Sequence, residues 1–128
     1  MRILTTRAAF VVALASGLLV PPLASAASCE WSLRLAAEVA NHGERASTSG
    51  NELEARRFAR DARLSAVDGA REAQACGCAA AMPSFEDASL QANYADRAQN
   101  LTSAQQYGRR IKSLGEKAQD ALHRCPAG

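Results

Sequence analysis

A shortage of large apolar side chains constrains this chain more than anything else in it. Beyond Ala26, only 17 residues are Leu, Val, Ile, Met, Phe, Trp or Tyr, and alanines outnumber them. A domain of about 100 residues already buries a smaller share of its surface than a larger one does, so such a thin core calls for covalent ties. Cys29, Cys76, Cys78 and Cys125 are available to make them. Disulfides form and persist in oxidising compartments.

The opening residues point to such a compartment. Arg2 and Arg7 supply a positive start, Ala8 to Val20 an apolar run, Pro21 and Pro22 its end, and Ala24-Ser25-Ala26 a set of small residues. That order is the one of a secretory signal peptide, and the run is shorter than the roughly 20 residues of a membrane-spanning helix. The expectation is a signal peptide over residues 1–26 and one alanine-rich helical domain over 27–128, in the periplasm or secreted. Ala26-Ala27-Ser28-Cys29 approaches a lipoprotein box, but the leucine usual three residues before the cysteine is missing. Acylation of Cys29 would also leave an odd number of thiols in an exported protein. Residues 1–26 hold two of the 15 Lys and Arg and none of the 13 Asp and Glu, so the remainder is 13 against 13, neutral. The apparent basicity belongs to the export segment, which removes the main support for a nucleic-acid or anionic-membrane partner.

Alanine richness, few β-branched residues and the absence of proline between Ala27 and Met82 predict helix almost throughout. A first helix is expected from about Ser28 to Asn41, burying Trp31, Leu35 and Val39 and stopping at Gly43, with a polar loop from His42 to Gly50. Asn51 followed three residues later by Glu54 marks the start of a second, long helix. Its Ala55, Ala59, Ala62, Ala66, Gly69 or Ala70, and Ala73 make a smooth stripe, with Leu53, Phe58, Leu64 and Val67 as larger contacts and Gly77 as the stop. Pro83 and Ser84-Phe85-Glu86-Asp87 mark another start. Helical spacing then runs unbroken from Leu90 and Tyr94 to Cys125, although Asn100 and Ser103-Ala104-Gln105-Gln106 allow a break. One helix from Ser84 to Arg124 would be about 60 Å long at about 1.5 Å per residue, more than a thin core can cover. A four-helix antiparallel bundle turning near residues 100–103 is preferred, with three helices and a long last one as the alternative.

In an antiparallel bundle the start of helix 1, the end of helix 2 and the end of helix 4 share one pole. All four cysteines then gather there, and two disulfides follow: one ties helix 1 to the Cys76-Gly77-Cys78 turn, the other ties Cys125 to it. Four cysteines allow three connectivities, and spacing does not choose among them. A continuous last helix would carry Cys125 far beyond disulfide reach of that turn and leave it to a chain-to-chain link, so a monomer is preferred and a disulfide-linked dimer is the alternative.

Chemical sites are sparse. Cys76 and Cys78 could form a redox-active dithiol or, with Cys29 and Cys125, a four-thiolate metal site, but both need reduced sulfur. Arg56, Arg60 and Arg63 share one helical face that reads mainly as a solvated ridge with local acidic partners and secondarily as a contact surface. His42 and His123 belong to no ligand pattern, and His123 suits the negative end of the last helix. No phosphate loop, nucleophile elbow, EF-hand or haem-attachment motif occurs; Asn100-Leu101-Thr102 is a glycosylation pattern of the sort that arises by chance. The expectation is therefore a non-enzymatic, all-α module without cofactor or metal that binds another protein as adaptor, inhibitor, immunity protein or chaperone. The helix-2 face and residues 43–50 are its candidate contact surfaces, and a thiol-redox or metal-binding protein built on Cys76 and Cys78 is the alternative.

Overall fold

A computed structural model describes residues 28–125. The expected signal peptide lies outside the described residues. Those residues form four α-helices: α1 (Glu30–Thr48), α2 (Glu52–Ala75), α3 (Met82–Asp96) and α4 (Leu101–His123), with a 3-10 turn at Ala79–Ala81 before α3. The preferred break exists, between Asp96 and Leu101, because Asn100 caps α4 by accepting from the Ser103 amide. Asn51 caps α2 in the same way, accepting from Glu54 N. Gly77, at φ 83°, turns the chain between α2 and the 3-10 segment.

Two expected boundaries move. Gly43 does not end α1, which continues to Thr48 and leaves only a short connection to α2; the expected loop from residue 42 is mostly helix. The glycine stands inside the helix because a side chain there would collide with the backbone of α4 at Lys112. Likewise α3 begins at Met82 and not at Ser84, with Pro83 in its first turn, where its missing N–H leaves no bond unmade.

The helices form a four-cornered bundle in which α1 packs on α2 and α4, and α3 packs on α2 and α4. Alanine dominates the interior: Ala36, Ala55, Ala59, Ala62, Ala66, Ala73, Ala92, Ala95, Ala104 and Ala118 are buried, and Phe85, Ile111 and Val39 are the largest fully buried apolar side chains. Four residues expected in the core are exposed instead: Trp31, Leu53, Leu64 and Val67. Leu90 and Tyr94, expected on the buried stripe of the last helical stretch, are exposed as well.

The bundle is built twice from one plan. Cys78 and Cys125 lie 49 residues beyond Cys29 and Cys76, and Asn100 lies 49 beyond Asn51. Shifted by 49, α1–α2 falls on α3–α4, and the pattern of buried, half-buried and exposed positions over residues 29–76 repeats over 78–125 except at the pairs 35/84, 38/87, 44/93, 65/114 and 76/125. Contacts between the halves repeat too. The guanidinium of Arg56 donates to Ala98 O, and the amide of Gln105, its counterpart, donates at 2.9 Å to Ser49 O, the counterpart of Ala98. Each half is thus a helical hairpin that steadies the turn of the other.

The two seams between hairpins are packed differently. Where α1 meets α4, a Cβ on Gly115 would fall 2.5 Å from Ala40 N, one on Gly108 2.7 Å from Ser47 N, and one on Gly43 against Lys112 N. Backbone meets backbone there. At the equivalent positions of the α2–α3 seam stand Ala66, Ala59 and Ala92. That seam is spaced by methyl groups and by the ring of Phe85, which lies over Gly69 in the space a side chain there would need.

Candidate functional site

The four cysteines share one pole. Cys29 bonds to Cys76 and Cys78 to Cys125, with Cα separations of 5.3 and 5.8 Å, both within the usual disulfide range. Each bond closes one hairpin on itself, and each spans the same 47 residues. Both sulfurs of the Cys76-Gly77-Cys78 turn are therefore engaged, so thiol or metal chemistry there would first require reduction. Among the described residues no group of three or more His, Cys, Asp or Glu gathers in a metal-binding arrangement.

An open surface groove follows the wider seam. Between α2 and α3 lies an open groove of about 540 Å³, lined by Arg63, Leu64, Val67 and Asp68 from one wall and Glu86, Ser89, Leu90 and Asn93 from the other. Leu64 is 62% exposed, Val67 44% and Leu90 45%. The duplicated frame supplies an internal control, since the counterparts of these three residues are Ser113, Glu116 and Asn41. On that second face Lys112 pairs with Glu44 at 3.1 Å, and Glu44 holds the ammonium above its ordinary range. The same backbone positions carry polar groups in one half and apolar groups in the other, so the fold does not require Leu64, Val67 and Leu90 to be apolar.

The arginines singled out on α2 separate. Arg56 turns into the seam, held by Glu52 at 2.5 Å and by Ala98 O. Arg60 pairs with Asp96 of α3 at 3.3 Å, and Arg71 with Asp68 at 3.5 Å. Only Arg63 lines the groove. Arg56 and Arg60 are thus engaged by different partners, Arg63 alone of the three faces the groove, and they do not form one free basic ridge. Arg57 and Arg45 both lie 5.7 Å from the Phe58 ring, covering it with their guanidinium groups.

His42 Nδ1 is buried without a hydrogen-bond partner among the described residues, and so is Oε1 of Gln91, its counterpart 49 residues on. His123 ends α4 as expected, in the last turn. Residues 43–50, the other candidate contact segment, are helix through Thr48, with Ser47 and Thr48 donating back to Glu44 O. The groove residues Leu90 and Val67 escaped the sequence reading because helical spacing alone placed them in the core. The available signal was the 49-residue offset, at which the apolar residues face polar counterparts.

No protein-family model, curated protein or solved structure matches this chain.

Proposed function

We propose that this chain is an exported, non-enzymatic scaffold that binds protein through its α2–α3 face. The observation that carries the reading is the asymmetry of a duplicated frame: a protein short of large apolar residues leaves Leu64, Val67 and Leu90 at the surface, where its own second half carries Ser113, Glu116 and Asn41. Exposed apolar groups clustered in a groove with a polar rim mark interaction sites. The two disulfides support an oxidising location, and among the described residues no helix is long and apolar enough to cross a membrane. The hairpins are rigid hosts for such a face, since the disulfides and the alanine interior leave its backbone little freedom to lose on binding.

The test is a photo-activated cross-linking residue placed at Val67 in the protein as its own cell exports it, compared with the same residue at Glu116. A discrete protein adduct at 67 and none at 116 is the expected result. Equal labelling at the two positions, or none at either, contradicts the reading.

A further inference from the structure

We infer that the occupant of the α2–α3 groove is a second copy of this chain, packed across a two-fold axis that runs perpendicular to the helices. This deepens the binding reading above and rests on it.

Charge along the groove carries the inference. At about 1.5 Å per residue, Arg63 lies about 4 Å to one side of the middle of the α2 wall and Asp68 about 4 Å to the other. Helix α3 runs the opposite way, as the seat of the Phe85 ring over Gly69 shows, so Glu86 stands beside Asp68, and Asn93 beside Arg63. The groove therefore has a basic end at Arg63, an apolar middle at Leu64, Val67 and Leu90, and an acidic end at Glu86 and Asp68, of which Asp68 is paired with Arg71 and Glu86 is not. A partner of one charge would be attracted at one end and repelled at the other. A two-fold rotation reverses the order, so that Arg63 of each copy meets the acidic end of the other while the apolar residues meet at the centre; a self-complementary patch of this kind is what an isologous dimer needs. Among the described residues neither Arg63 nor Glu86 forms an ion pair, which leaves both available to the second copy. Arg60 and Arg71, which flank the groove and would approach each other across the axis, already hold Asp96 and Asp68.

The opposite face of the bundle lacks this pattern. Its equivalents of Arg63, Asp68 and Glu86 are Lys112, Lys117 and Ala37, two cations and a methyl group around a polar middle. The apolar centre, three half-exposed side chains, is small beside the roughly 800 Å² that each partner of a standard stable interface contributes, so the association is weak and reversible.

Sedimentation of the oxidised exported protein over a wide concentration range tests the proposal. A monomer–dimer equilibrium is expected. Val67→Glu, which copies the residue of the polar face, weakens it at least tenfold while helical content and melting are retained, and Glu116→Gln leaves it unchanged. Arg63→Glu weakens it similarly, and adding Asp68→Arg and Glu86→Arg to Arg63→Glu restores it by reversing both ends of the groove. A chain that stays monomeric at millimolar concentration, or a dimer indifferent to Val67→Glu, overturns the inference. A monomer whose residue 67 cross-links to a different protein overturns it while the binding reading stands; absence of any adduct at 67 removes both.

Discussion

Replacing Gly115 by alanine separates backbone-to-backbone packing from ordinary helix propensity. On propensity alone the change stabilises an interior helical position by about 0.8–1 kcal/mol. In the α1–α4 seam the new methyl carbon would stand 2.5 Å from Ala40 N and 2.9 Å from Ala40 Cα, backbone atoms that no side-chain rotation can move aside. Reaching ordinary contact at 3.4 Å requires the two helices to part locally by about 0.9 Å, which thins the contacts of Ala36 and Val39 with α4 as well. Overpacking costs about 1–3 kcal/mol, and a clash with backbone that cannot rotate away belongs to the upper part of that range, about 2–3 kcal/mol, so the net expectation after the propensity gain is a loss of about 1–2 kcal/mol. For a domain near 100 residues, that is a fall in Tm of roughly 5–15 °C. Thermal and urea unfolding followed by circular dichroism, with the disulfides intact, measures it. Gly50→Ala is the control, because nothing lies within 4 Å of its added methyl, and no loss is expected. Ala66→Gly, at the equivalent place in the α2–α3 seam, should also destabilise, since that seam is spaced for methyl groups. A Gly115→Ala protein as stable as the parent, or more so, would refute the close approach of α1 and α4.

Three further outcomes follow from the duplicated frame. Replacing Cys29 and Cys76 together, or Cys78 and Cys125 together, by alanine releases loops of the same 47-residue separation, and chain entropy puts each loss near 4 kcal/mol; urea unfolding should give the two variants similar losses, and a loss below about 1 kcal/mol in either contradicts the stapling role. Phe85→Ala empties the one large side chain of the α2–α3 seam and should cost about 3–5 kcal/mol by chemical denaturation, a loss that Gly69→Ala in the same chain partly offsets by refilling the space. Asn51→Ala and Asn100→Ala should each cost about 1 kcal/mol in the same assay, since both caps accept one amide bond at 2.8 Å, and a much larger loss at one site would show that the two turns are not equivalent.

The helical class, the capped start at Asn51, the alanine stripe of α2 and the gathering of the cysteines at one pole were all legible, because each depends on local chemistry or on antiparallel geometry alone. The seams between hairpins were harder to read. Gly43 has the look of a helix stop, and its role as a contact point emerges only when α4 is laid against it. Leu64, Val67 and Leu90 hold helical spacing, yet alanine and glycine fill the interior so closely that no room remains for them. The repeat was hidden by composition: residues 29–76 and 78–125 are identical at offset 49 only at Cys29/Cys78, Ala46/Ala95, Asn51/Asn100, Ala55/Ala104, Arg60/Arg109 and Cys76/Cys125. What is kept is the position of small residues and the two ends of each hairpin. The distinctness of the α2–α3 face shows only against its counterpart 49 residues on, since an exposed leucine becomes informative when its counterpart is a serine.

The duplicated frame stands on its two bonds, and non-reducing peptide mapping of the protein as isolated, with free thiols blocked beforehand, tests them directly. Two links are predicted, Cys29 to Cys76 and Cys78 to Cys125, with no label on any cysteine. Linkage of Cys29 to Cys125 or Cys78, a Cys76–Cys78 bond, or labelled thiols at the Cys76-Gly77-Cys78 turn would contradict a bundle made of two closed hairpins.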